Sequence, residues 1–167
     1  MHLALTGVYR ARWSAQIHDE WKRNLLINRP DLTQEQLDRT SSLMDKAVPN
    51  GLVTDYERLV AALQLPDADD RHVLAAAIKC NASAIVTFNL KDFPKDTLAP
   101  FNIEPLHPDD FIVDLWDLDQ AAVLEAARLQ RASLKNPPHN GRQYLDKLLQ
   151  QQLPETVNLL SSFEFLI

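Results

Sequence analysis

The stretch from Leu65 to Pro94, LPDADDRHVLAAAIKCNASAIVTFNLKDFP, limits what this chain can fold into more than any other. It opens on an acidic cluster, Asp67, Asp69 and Asp70. A small apolar segment, His72 to Ile78, reads as a buried helix, and after a short linker the apolar run Ala84 to Phe88 reads as a strand. Asn89 and Asp92 come directly after that strand. A buried helix leading into an apolar strand belongs to an α/β protein. In an open α/β sheet, ligands bind beyond the carboxyl ends of the strands. Acids at the start of the helix and polar groups past the end of the next strand are therefore expected to face each other. Carboxylates carried on rigid elements in this way suit a hard divalent cation.

Composition narrows the class. With 167 residues, 46% of them hydrophobic, the chain reads as one globular domain, or one domain with a small appendage, and it can bury a real core. A net charge of −6 excludes a broad basic footprint for coating nucleic acid, while leaving room for a local basic patch. Cys80 is the only cysteine, which excludes an internal disulfide framework and a cysteine zinc site and fits a cytoplasmic setting. Met1 to Gly7 is too short for the apolar core of a signal peptide, and no apolar run approaches a membrane span. Three glycines leave no scope for a phosphate-cradling loop.

In chain order, Met1 to Gly7 reads as the last turns of a helix with Gly7 just past its end, and Val8 to Trp13 as a short strand. Ser14 caps a helix to Asn28, with Ile17, Trp21 and Leu25 on one face and Glu20 beside it. Thr33 and Gln36 form a capping box for a helix to about Ala47. Leu52 to Tyr56 reads as a strand, Glu57 to Leu63 as a short helix or irregular segment, and Ile103 to Leu106 as an edge strand. Beyond Pro108 the strands stop: Pro108 opens one helix, Asp119 caps another to Leu134, and Arg142 to Gln150 and Pro154 to Phe163 follow. The expected domains are 1–107 and a helical extension, 108–167.

Each candidate site residue has an ordinary structural reading. Asp69 and Asp70 suit the N-terminus of a helix as caps, the commoner role for such residues. Against that, three acids in four positions repel one another unless a cation neutralises them. Asp67 reads as a turn residue, Asn89 and Asp92 suit an Asx-turn, and Glu20 alone would be a solvated helix residue. His72 is expected to pack on its own helix rather than bind a metal. The acids after Pro108, Asp109 and Asp110 among them, read as a solvated, cap-decorated face.

DADDRHVLAAAI followed by AIVTFNLKDFP resembles the second half of a PIN domain, near the branch of bacterial VapC-type toxins. WSAQIHDEWKRNLL is similar to that family's second conserved helix, with Glu20 at its acidic position; Asp70, Asn89 and Asp92 match later acidic and polar positions. The tail after Pro108 resembles the C-terminal extension of one VapC subgroup. The family opens with a strand of the type LDxxVL ending in an Asp, and no segment here matches it.

The resemblance implies a three-layer α/β/α PIN-like domain with a parallel sheet, lacking that first strand, plus a C-terminal helical extension. It also implies the toxin of a type II toxin–antitoxin system, a Mg²⁺- or Mn²⁺-dependent endoribonuclease cleaving single-stranded RNA, with a VapB-like antitoxin partner and a homodimer. On this reading Asp70 and Asp92, with Glu20 acting directly or through water, hold the metal. Asn89 supports a carboxylate or the phosphate, and Arg12, Arg23, Arg71 and Lys91, with Arg10 and Lys22, meet phosphates. Without the first strand and its Asp, the chain as it stands is expected to show little or no nuclease activity, restored by an upstream strand ending in Asp. The competing readings are a catalytically impaired PIN remnant that binds antitoxin or RNA, and a DNA-directed or phosphatase-like metal hydrolase.

Overall fold

The computed structural model describes residues 2–167, and Met1 lies outside them. The chain divides into two compact units: Met1–Tyr9, Val86–Phe88 and Leu106–Ile167 form one, and Arg10–Ile85 with Asn89–Pro105 form the other.

In the second unit, Trp13 makes an isolated parallel bridge with Leu52. The Trp13 amide donates to the Gly51 carbonyl at 2.9 Å, and the Val53 amide donates to the Trp13 carbonyl at 2.7 Å. Gly51 is required here, because a Cβ would stand 2.9 Å from the Trp13 ring. The strands expected over 8–13 and 52–56 shrink to this single bridge. The chain leaves one unit for the other between Tyr9 and Arg10, which shortens the first. Asp55 takes a left-handed conformation, φ 60°, which ends the second.

Helix α1, Ala15–Asn28, starts as expected, with the Ser14 hydroxyl accepting from the Ile17 amide at 3.2 Å. Helix α2, Gln34–Ala47, carries the expected capping box: Thr33 Oγ1 accepts from the Gln36 amide, and Gln36 Oε1 from the Thr33 amide. A single turn follows, α3, Glu57–Val60.

Helix α4, Arg71–Lys79, buries Leu74, Ala75, Ala76 and Ala77 in succession. Alanine combines the best helical propensity with a side chain small enough for close approach on every side. Val53, Tyr56, Leu63, Ile85, Phe93, Leu98 and Ile103 complete that core. The helix ends in a Schellman turn. Asn81 adopts φ 51°, the Asn81 amide donates to Ile78 and the Ala82 amide donates to Ala77. That reversal delivers the chain into strand β1, Ala84–Val86.

A 3₁₀ turn, Leu90–Asp92, helix α5, Lys95–Leu98, and a second 3₁₀ turn, Ala99–Phe101, lead to strand β2, Glu104–Leu106. The Glu104 amide donates to Ser83 and the Thr87 amide to Leu106, so the register rises together in both strands and the pair is parallel. The result is a helix-rich α/β fold with a small parallel sheet, consistent with a PIN-like architecture followed by helices. Among the described residues no strand precedes Trp13.

The other unit starts with a 3₁₀ turn, His2–Leu5, rather than helix, and Gly7 has the positive φ, 80°, expected after a helical turn. Its helices are α6, Pro108–Leu118, α7, Gln120–Ser133, α8, Gly141–Gln150, and α9, Pro154–Ser161. Asp119 caps α7 as expected, accepting from the Ala122 amide at 2.9 Å. Ala127, Tyr144, Leu145, Leu148, Leu153 and Leu160 form the core, and burial pushes the Tyr144 phenol up to about 12.

Asp109 departs from the solvated role expected of it. It is 4% exposed and accepts from the Glu155 amide at 2.8 Å, the Thr156 amide at 2.8 Å and the Thr156 hydroxyl at 2.6 Å. A carboxylate from α6 thus caps α9, where burial and three donors replace water. Asp109→Ala is expected to cost about 2–4 kcal/mol, since charged hydrogen bonds are lost and buried amides are orphaned. Urea unfolding at unchanged m-value checks this, and a loss under about 0.5 kcal/mol would be that of an ordinary surface site.

Candidate active site

The second unit holds the acids. Asp70 stands at the N-cap position of α4 with helical φ and ψ, and its side chain makes no capping hydrogen bond. The usual reason for an Asp at this position is therefore not its reason here. Asp67 folds the preceding loop by accepting from the Asp69 amide at 2.9 Å. Asp92 arrives on the 3₁₀ turn after β1, where Asn89 Nδ2 donates to Asp92 Oδ2. Asp67, Asp70 and Asp92 each offer a carboxylate oxygen, and these oxygens lie within 4.8 Å of one another.

Burial, and then the like charges of Asp67, Asp92 and Glu20, hold the Asp70 carboxyl above its ordinary value; His72 offsets part of this. Oxygens around one hard cation sit about 2.0–2.6 Å from it, which leaves them mutually separated on the scale seen here. An all-oxygen, all-anionic set under repulsive strain fits a hard divalent cation.

Of the expected metal set, Asp70 and Asp92 are brought together, and Asp67, read from sequence as a turn residue, is the third member. Glu20 is not a member of this group, although its charge reaches Asp70. Its Oε1 meets Nε2 of His72 at 2.7 Å, with the Glu20 side chain 32% exposed and that of His72 2%. His72 is buried as expected but also holds this carboxylate, a role its sequence position did not disclose. Gln16, Glu20 and Arg23 on α1, with Val60, Ala68, Asp69 and His72, line a cavity of about 450 Å³.

Among the basic residues, Arg23 and Lys91 are exposed, while Arg12 and Arg71 are half-buried. Arg12 donates to the Ala11 carbonyl at 3.2 Å, and Arg71 Nε has no partner among the described residues. Lys22 does not match its expected role: it is paired with Asp38 at 2.9 Å and Asp19 at 3.2 Å. The nearby His18 also has a structural role. Its Nδ1 accepts from the Trp21 indole at 2.9 Å, so its Nε2 hydrogen points to Asp45 at 3.0 Å, and the Trp13 indole donates to the same oxygen at 2.7 Å. Burial pulls Asp45 up, but these hydrogen bonds outweigh it and leave the carboxyl below its ordinary value.

The family model for the PIN domain matches residues 1–91, more than half of the chain. This chain belongs to the PIN-domain family. The model described as the VapC50 C-terminal domain matches residues 108–162. A relative from Mycobacterium tuberculosis (strain ATCC 25618 / H37Rv), named "Putative ribonuclease VapC50", is 41% identical over 114 residues, 66% of this chain and 67% of that protein. The chain is thus a VapC-type PIN protein. No solved structure matches it. No helix among the described residues of this PIN protein is long and apolar enough to cross a membrane.

The raised Asp70 carboxyl has a signed consequence. The folded state holds this proton more tightly than the unfolded chain. The group's contribution to stability is therefore full below the ordinary aspartate range and is lost as pH rises through the raised folded value. Asp70→Asn is expected to stabilise the metal-free PIN protein at about pH 7 and to lose that advantage near about pH 3. The same variant is expected to weaken Mn²⁺ binding at least about tenfold. Urea unfolding across pH and calorimetric Mn²⁺ titration measure the two effects. Unchanged Mn²⁺ affinity would remove Asp70 from the metal site.

Proposed function

We propose that this VapC-type PIN protein is the toxin of a type II toxin–antitoxin system, a Mg²⁺- or Mn²⁺-dependent endoribonuclease acting on single-stranded RNA in the cytoplasm. The observation that carries the reading is the convergence of Asp67, Asp70 and Asp92 within 4.8 Å in a PIN-family chain. The name of the mycobacterial relative supports ribonuclease chemistry.

A bound divalent cation would supply an activated water and stabilise negative charge on the scissile phosphate. The chain's own residues supply the rest. Asp67, Asp70 and Asp92 offer the anionic oxygens. Asn89 donates to Asp92 Oδ2 and so limits rotation of that carboxylate. Glu20, facing the cavity, orients the attacking water. Arg23 lines the same cavity and takes a flanking phosphate, with Arg12, Arg71 and Lys91 completing a local basic surface on an acidic protein. We assign this chemistry to residues 1–107, while 108–167 packs as helices and supplies no reacting group. A VapB-like antitoxin and a second copy of the chain complete the proposed assembly.

Asp67 supplies a third acid from within the chain, so, against the loss expected from the missing first Asp, the purified protein is expected to cut single-stranded RNA when Mn²⁺ or Mg²⁺ is present, to spare DNA, and to stop on chelation. Asp92→Asn is expected to slow cutting about a hundredfold or more, the scale of losing a metal's charge stabilisation. Cutting of DNA at a comparable rate would favour the broader metal-hydrolase reading. RNA bound tightly but left intact with either metal would favour a binding module.

A further inference from the structure

We propose that His72 is a positioning residue for Glu20, holding one carboxylate oxygen so that the other faces the cavity and orients the attacking water. The inference rests on the nuclease reading above and deepens it, and its basis is geometric. His72 is 2% exposed, and its Nε2 lies 2.7 Å from Glu20 Oε1. A carboxylate is acceptor-only, so the hydrogen in this contact belongs to Nε2. The bond therefore takes up Oε1 and leaves Oε2 for whatever enters the cavity that Glu20 and His72 both line.

The ring's other nitrogen sharpens the argument. Nδ1 of His72 is buried and has no hydrogen-bond partner among the described residues. The imidazole therefore has one polar anchor, Glu20, and packing supplies the rest. A ring shared among several acceptors would spread its influence, whereas this one is committed to a single carboxylate.

The first turn of α4 explains how both functions arise together. Asp70 and His72 are two residues apart and so point to different sides of the helix. Asp70 goes to Asp67 and Asp92, and His72 goes to Glu20 on α1. One helical turn therefore fixes both the acid cluster and the water-orienting group, near enough to each other that the Glu20 charge helps to raise the Asp70 carboxyl. A positioning contact of this kind commonly carries a tenfold to hundredfold effect on a metal site, without touching ligand or substrate itself.

The test compares His72→Gln, whose amide nitrogen can occupy the place of Nε2, with His72→Asn, whose shorter side chain cannot reach Glu20. RNA cleavage with Mn²⁺ is measured for the wild-type protein, for both variants, for Glu20→Gln and for the Glu20→Gln/His72→Asn double variant. His72→Asn is expected to lower kcat about 10–100-fold with KM changed less than about threefold. His72→Gln is expected to recover turnover to within about fivefold of wild type, as a replacement donor should. On the Glu20→Gln background, His72→Asn is expected to add less than about twofold, because the two residues act as one unit.

In the metal-free protein, ¹⁵N spectra of the ring are expected to show the hydrogen on Nε2 and a shift of that signal in Glu20→Gln. Undiminished kcat in His72→Asn, equal damage in both His72 variants, or multiplying effects in the double variant would each overturn the proposal. If His72→Asn does not fold, the folded His72→Gln variant and the ring spectrum decide. Retained turnover with an Nε2–H ring supports the pair, and lost turnover overturns it. A wild-type protein that cuts no RNA overturns the nuclease reading, and with it the catalytic use of the pair, while the ring spectrum still reports whether the pair exists.

Discussion

Three carboxylates whose oxygens lie within 4.8 Å of one another push apart, and the backbone around them resists that push. Asp70 cannot retreat, because it begins a helix whose next turns are buried through Leu74, Ala75, Ala76 and Ala77. Asp67 is tied by the Asp69 amide, and Asp92 is tied by Asn89 on a turn that follows β1. The packing that holds α4 in place therefore also holds the repulsion. The metal-free fold is less stable for it, and a dication is attracted for the same reason.

The sequence disclosed the parts of this arrangement that depend on local chemistry. Small apolar residues marked α4 as buried, and Ser14, Thr33 with Gln36, and Asp119 marked the helix starts, because a cap is a short-range hydrogen bond. The acid-rich loop and the polar residues after β1 were legible as a candidate site for a similar reason: both lie at the ends of recognisable elements.

What stayed hidden depended on distant partners or on single backbone angles. Which acids of the 67–70 loop turn toward Asp92 is decided by φ and ψ values that the letters do not show, so Asp67 read as a simple turn. Asp109 read as one acid among several on a helix, yet its donors lie on α9, 46 and 47 residues away. The contact between His72 and Glu20 spans 52 residues and follows no helical spacing. The strand expected at Leu52 to Tyr56 stopped short at one residue, Asp55, with a left-handed conformation.

The hydrogen bonds around His18 carry a mechanical consequence. Asp45, on α2, accepts from His18 on α1 and from the Trp13 indole just before it, while Trp21 closes onto the other side of the same ring. Helix α1 thus cannot roll about its axis without tearing the His18 bond to Asp45 and the Lys22 bond to Asp38, the two that tie it to α2. Its Glu20 end is clamped to α2 two residues from His18. Any adjustment of the Glu20 carboxylate toward a substrate is confined to side-chain torsions, or else α1 and α2 swing together as one lever.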